Sequence, residues 1–244
     1  MTAARDEVLA RYGPIREAIK RVLGLAQGSC AKADWTRAMR RVAPWADTAA
    51  LAESDEAAGM VIDVALFERN NRGKRAFDRF MAGKAQGLPA PDLALARRMA
   101  DTAAFSVFRC AGRHEAAGVW LEDVLRRPRR VWLVDRSLEK NEFPEGLVIA
   151  MRTFEAEAFH AGFGVVAVVD PDLYEMLIDC AERGQSLPVR HSLAATLYGD
   201  ALADEGLPMN QATAEMMEEV LDRLEGERPA VFWTPEDGKR GEKG

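Results

Sequence analysis

The chain has few of the residues that usually announce chemistry. Cysteine occurs three times in 244 residues, at Cys30, Cys110 and Cys180, and no two form a Cys-x-x-Cys pair. A sparse, odd set excludes a disulfide framework, and free thiols in a reducing compartment are the expectation. Histidine is as scarce: His114, His160 and His191 have no second His, Cys or acid at a metal-binding spacing. Cys110 and His114 flank a turn, but two ligands fall short of the four a structural zinc site takes. No cofactor is expected. The longest smooth apolar run, 164–169, is far below a membrane span. The first twenty residues are charged throughout and lack the apolar core of a signal peptide, and no lipidation motif is present. These absences predict a cytoplasmic protein without a membrane partner.

Catalytic motifs are missing too. Ser106, Ser137 and Ser192 lie outside any Gly-x-Ser-x-Gly elbow, and the adjacency of His191 to Ser192 carries no weight, since triads are recognised by geometry. The Gly162-Phe163-Gly164 run lacks the third glycine and the following helix of a nucleotide loop, and reads as a strand bend. The paired acids Glu122-Asp123 and Glu155/Glu157 could do acid–base work only in an environment that separates their pKa values; solvated acids are commoner.

What is present is ordinary globular material: 48% hydrophobic and 30% charged residues, enough for one or two domains with a sizeable core. The net charge is −6 and unevenly spread. Residues 1–104 carry 17 basic and 13 acidic side chains, net +4; residues 105–169 carry nine of each; residues 170–244 carry 7 and 17, net −10. Ends of opposite sign attract each other or offer two surfaces to partners. The acidic total disfavours nucleic acid as a partner without removing it.

Periodicity predicts helices over 3–26, with a break and restart at Gly13-Pro14, then over Trp35–Val42, Ser54–Glu68, Lys74–Lys84 and Asp92–Ala104. Ser54 suits an N-cap. From Phe105 five short runs rich in Val, Phe and Trp predict strands, separated by Gly112-Arg113-His114, Arg127-Pro128 and Pro144-Glu145-Gly146. Helical spacing returns in Asp170–Arg183, Ser192–Ala203 and Gln211–Leu224. The fold class is therefore α+β: an N-terminal helical region over 1–104, a five-stranded antiparallel meander or small barrel over 105–169, a C-terminal helical region over 170–228 and a flexible tail over 229–244.

At the junction of the first two blocks the sequence resembles a known pattern. ALFERNNRGKRAFDRFMAG, residues 65–83, is similar to a helical segment of uncharacterised bacterial proteins, and FSVFR at 105–109, GVWLEDVL at 118–125 and RVWLVDRS at 130–137 resemble the β-module that follows it there. Many of those proteins end in the small zinc motif of the SecA translocation ATPase tail (the SEC-C motif). This chain has no Cys-x-Cys or His-Cys pair near its end, so the zinc motif is absent. The resemblance implies no reaction and no catalytic residue.

Arginines form the most distinctive clusters. Arg126, Arg127, Arg129 and Arg130 bracket Pro128 in a predicted hairpin, with Trp120 and Trp132 in the flanking strands. Arginine with aromatics on a small β-module is one way to hold single-stranded nucleic acid, although a solvated turn is the commoner outcome. Arg37, Arg40 and Arg41 beside Trp35 form a second cluster. Forked guanidiniums grip acidic protein surfaces equally well. In the last helix Met216, Met217, Val220 and Leu221 form an apolar stripe. Such a stripe docks onto the chain's own core by default; near a chain end it also suits a partner groove or a homodimer contact. The function expected is a non-catalytic interaction or adaptor protein with a protein partner. The alternatives are a nucleic-acid-binding accessory protein using the arginine turn and an enzyme of unrecognised type.

Overall fold

The computed structural model describes residues 3–126, 129–140, 144–187, 189–204, 207–211 and 213–218. The N-terminal part is helical: α1 (Ala3–Gln27), α2 (Lys32–Val42), α3 (Thr48–Glu53), α4 (Asp55–Phe67), α5 (Ala76–Ala82), a 3-10 turn (Lys84–Gly87) and α6 (Ala90–Thr102). The strands follow: β1 (Ala104–Arg113), β2 (Val119–Asp123), β3 (Arg129–Leu133), β4 (Val148–Glu155) and β5 (His160–Val168), with a short helix α7 (Arg136–Lys140) after β3. Two more helices come last, α8 (Pro171–Glu182) and α9 (Leu193–Asp204).

Local chemistry sets most boundaries. The Ser54 hydroxyl accepts from the Ala57 N–H, and the Asp170 carboxylate accepts from the Asp172 and Leu173 N–H groups, so both cap the free amides of a first turn. Asp135 does the same for Ser137 and Leu138, ending β3 in a helix where the sequence pattern predicted continued strand. The expected break at Gly13-Pro14 does not occur, and α1 is continuous through Pro14. A proline inside a helix costs about 3 kcal/mol. Here Tyr12 lies before it, and Ala18, Ile19, Val22 and Ala26 after it, in one buried cluster, which holds the two halves in line.

In hydrogen-bonding order the strands run β1-β2-β3-β5-β4, with β4 paired back onto β1. Four seams are antiparallel; the β3–β5 seam is parallel and rests on one residue pair, Leu133 with His160. The sheet is therefore mixed, which corrects the antiparallel meander or small barrel expected for this segment. Five strands cannot alternate direction around a ring, so one seam must be parallel. The ring closes through a seam so narrow that the sheet is tightly curled, without the continuous ladder of a regular barrel. Its interior holds Phe108, Leu121, Leu133, Ile149 and Met151. Its outer face is covered by helices, which is why β4 is buried on both faces from Ile149 to Phe154.

Across that interface Arg152 of β4 is buried and donates through Nε to Asp63 Oδ1 of α4 at 2.8 Å, while Tyr198 of α9 donates its hydroxyl to Asp63 Oδ2 at 3.3 Å. Phe67 and Phe105 present their rings to the guanidinium. Burial pushes the Tyr198 phenol well above its ordinary range, and Asp63 adds to that.

Candidate functional site

Among the described residues, the arginines and tryptophans of the predicted β-hairpin site divide between two directions. Trp120 and Trp132 are directly opposite each other on β2 and β3 and point outward. The Arg130 guanidinium lies 4.7 Å from the centre of the Trp120 ring. Arg129, one residue earlier, points the other way and pairs with Glu155 at 3.0 Å, because side chains alternate along a strand. Arg126 is exposed in the turn, and Arg127 falls outside the described residues.

The ring surfaces here are already used. His114 stacks on Trp132, with centroids 3.9 Å apart and planes 7° apart, and lies 4.7 Å from Trp120. Trp132 donates its indole N–H to the Ala117 carbonyl at 2.8 Å, and Trp120 donates to Glu115 at 3.3 Å. The His114 ring is fixed by the Ala116 N–H, which donates to Nδ1 at 3.0 Å, so the neutral ring carries its proton on Nε2. The tight loop behind it depends on Gly118, with φ at 80°, where a Cβ would stand 2.1 Å from the Leu133 carbonyl oxygen. Burial holds the His114 pKa below its ordinary value. Glu115, Glu122 and Glu155 are interspersed among the arginines, and Arg109 is paired with Glu122 at 2.7 Å. A base seeking a tryptophan face would displace His114 or Arg130.

The second cluster is arranged differently. α2 begins at Lys32, three residues before its predicted start, because the Asp34 carboxylate accepts from the Ala31 N–H. Lys32, Thr36, Arg37, Arg40 and Arg41 then line one open groove on the outer side of α2, with His191 on the facing wall. Lys32, Arg40 and His191 are exposed; Arg37 and Arg41 are half-buried. Asp34, on the inner side, pairs with Arg37 at 2.8 Å and with Arg79. Burial opposes ionisation of Asp34, but the Ala31 N–H and the two guanidiniums outweigh it and hold its pKa low. Among the described residues Lys32, Arg40 and Arg41 have no ion pair, and Arg37 Nε is buried without a hydrogen-bond acceptor. Nearby, burial and then Asp34 push the Cys30 thiol up to about 11, leaving it a protonated, unreactive group.

Sequence pattern singled out Arg37, Arg40 and Arg41 but missed Lys32, which it left in a loop, and His191, which is brought over by the segment before α9. An Ala-Lys-Ala-Asp run with the acid at the third helical position is the signal that would have moved the helix start back.

The C-terminal stripe is not core in the described part of its helix. Met216 and Met217 are 57% and 42% exposed, which corrects the expectation that they dock onto the chain's own interior. Val220 and Leu221 lie outside the described residues. The preceding segment is anchored: Met209 bridges to Ala46, and the Asn210 amide donates to the Pro44 carbonyl at 3.0 Å. Among the described residues no three His, Cys, Asp or Glu side chains converge as a metal site, and no helix is long and apolar enough to cross a membrane.

One family model matches the chain, over residues 7–186: a family of unknown function, DUF7986. No curated protein and no solved structure matches.

Proposed function

The chain belongs to this family, and we propose that it is a non-catalytic binding protein that takes an anionic partner at the groove along α2. The observation that carries this reading is the convergence of Lys32, Arg37, Arg40 and Arg41 on one open surface with no acid among the residues that line it. Asp34 neutralises Arg37 from the inner side, whereas Lys32, Arg40 and Arg41 have no counterion among the described residues; such unbalanced charge attracts a partner of the other sign and steers its approach. The reading places the protein in the bacterial cytoplasm with its three cysteines as free thiols. A nucleic-acid face on the β-module, built from Arg126, Arg130, Trp120 and Trp132, is the second reading. It is supported by the shared outward direction of Arg130 and the two indoles, and weakened by the rings already stacked on them.

Salt-dependent retention on immobilised heparin tests both. The Arg40→Glu/Arg41→Glu variant is expected to elute at much lower salt than the parent, and the Arg126→Glu/Arg130→Glu variant to elute with the parent. The opposite pattern would move the binding surface to the β-module, and a parent that does not bind even at low salt would remove the reading.

A further inference from the structure

Resting on the α2 reading above, we infer that the partner is a protein segment in which carboxylates lie next to at least one large apolar residue. Two features share α2. Lys32, Thr36 and Arg40 form one row at one-turn spacing, and Arg37 and Arg41 form the next. On the other flank of Lys32, Trp35 and Met39 form an apolar row, also one turn apart. They close a cavity of about 240 Å³ together with Leu51 of α3 and Val61 and Ile62 of α4. Trp35 is three residues from Lys32 and Met39 three residues from Thr36, so the apolar row and the basic row are neighbours on the helix and the cup and groove are adjacent parts of one surface.

The dimensions suit a short peptide. Lys32 to Arg41 spans nine helical rises, about 13 Å. An extended chain covers that distance in about four residues. Guanidinium forks match carboxylates two oxygens at a time. The cup beside them is large enough for one Leu-, Ile- or Met-sized side chain. Burying such a side chain in a preformed apolar site adds affinity that charge alone does not supply.

Single-stranded nucleic acid fits less well. No aromatic side chain lines the basic groove, so the stacking that such ligands rely on is missing there. Trp35 is turned into the apolar cup and is half-buried. A long polyanion also carries its charge beyond the groove, across a body of net charge −6. An acidic run within a protein can end where the arginines end.

The experiment is fluorescence polarisation with the full chain and three labelled probes: a peptide with one leucine before a run of glutamates, the same peptide with alanine in place of leucine, and oligothymidylate of matched charge. The leucine peptide is expected to bind at low salt, and the alanine peptide to bind at least about tenfold more weakly. Ala52→Phe, an exposed position on α3 at the cup, is expected to bring the leucine peptide down to the alanine peptide's affinity. Arg40→Glu/Arg41→Glu is expected to abolish both. Equal affinity for the two peptides, or oligothymidylate binding as tightly as the leucine peptide, would overturn this inference while heparin retention through Arg40 and Arg41 kept the broader reading. No binding of any probe, together with unchanged heparin elution of the arginine variant, would end both.

Discussion

A Cβ atom added to Gly199 would stand 2.3 Å from the carbonyl oxygen of Val42, so α9 crosses α2 at a separation that no side chain at this position allows. The crossing holds the inner face of α2, where Ala38 and Val42 are buried, and so sets the direction in which its basic face points. Gly199→Ala is expected to destabilise the protein by about 1–3 kcal/mol, the usual cost of overpacking. Urea unfolding measures the loss. Because α2 has to move, heparin elution is expected to shift to lower salt as well.

The buried pair of Arg152 and Asp63 behaves differently from a surface ion pair. Arg152→Met leaves the Asp63 carboxylate buried with Tyr198 as its remaining hydrogen-bond donor among the described residues, at a cost of about 3–5 kcal/mol. The double variant Asp63→Leu/Arg152→Met removes both charges and is expected to recover much of that loss. Equilibrium unfolding of the two variants and the parent checks the sign of the difference; equal losses would mean that the pair, and not the orphaned charge, carries the energy.

Stability is expected to fall on mild acidification. Burial holds the pKa values of His114 and His160 below their ordinary 6.5. The unfolded chain then takes up protons before the folded one does, so stability is complete above about pH 6.5 and is lost as pH falls through the folded values. Protonation of His114 also removes the acceptor of the Ala116 N–H. A second loss follows below about pH 4, where Asp34, held low by the Ala31 N–H and its two arginine partners, and Asp92, held low by Arg21, are protonated. Thermal melting from pH 8 to 3 should show both steps, and His114→Gln should shrink the first.

Ending the chain after Asn210 is expected to leave cooperative unfolding in place, since Met216 and Met217 are exposed. Asn210→Ala in the full chain is expected to cost about 0.5–2 kcal/mol, because Asn210 both caps the last helix at Thr213 and ties the segment to Pro44. Differential scanning calorimetry of the two proteins separates a dispensable helix from an anchored segment.

Much of this protein could be read from its residues in order. The caps at Ser54 and Asp170, the five strand-forming runs and the basic face of α2 depend on neighbours within a turn or two, so local spacing reveals them. Other features depend on partners far away in the chain. Pro14 stays within a helix because Tyr12 and Ile19 share a core. The antiparallel expectation failed on parity, which becomes visible once β4 is known to return to β1. The same holds for the arginines: composition made those of the β-hairpin and those of α2 look alike. Packing gave Arg129 a carboxylate at Glu155 and Arg130 an indole at Trp120, and left Arg40 and Arg41 without a counterion among the described residues. Which cations are neutralised internally is a matter of distance across the fold, and distances of that kind are set by tertiary packing, because a charge has no partner until the chain has folded one into reach.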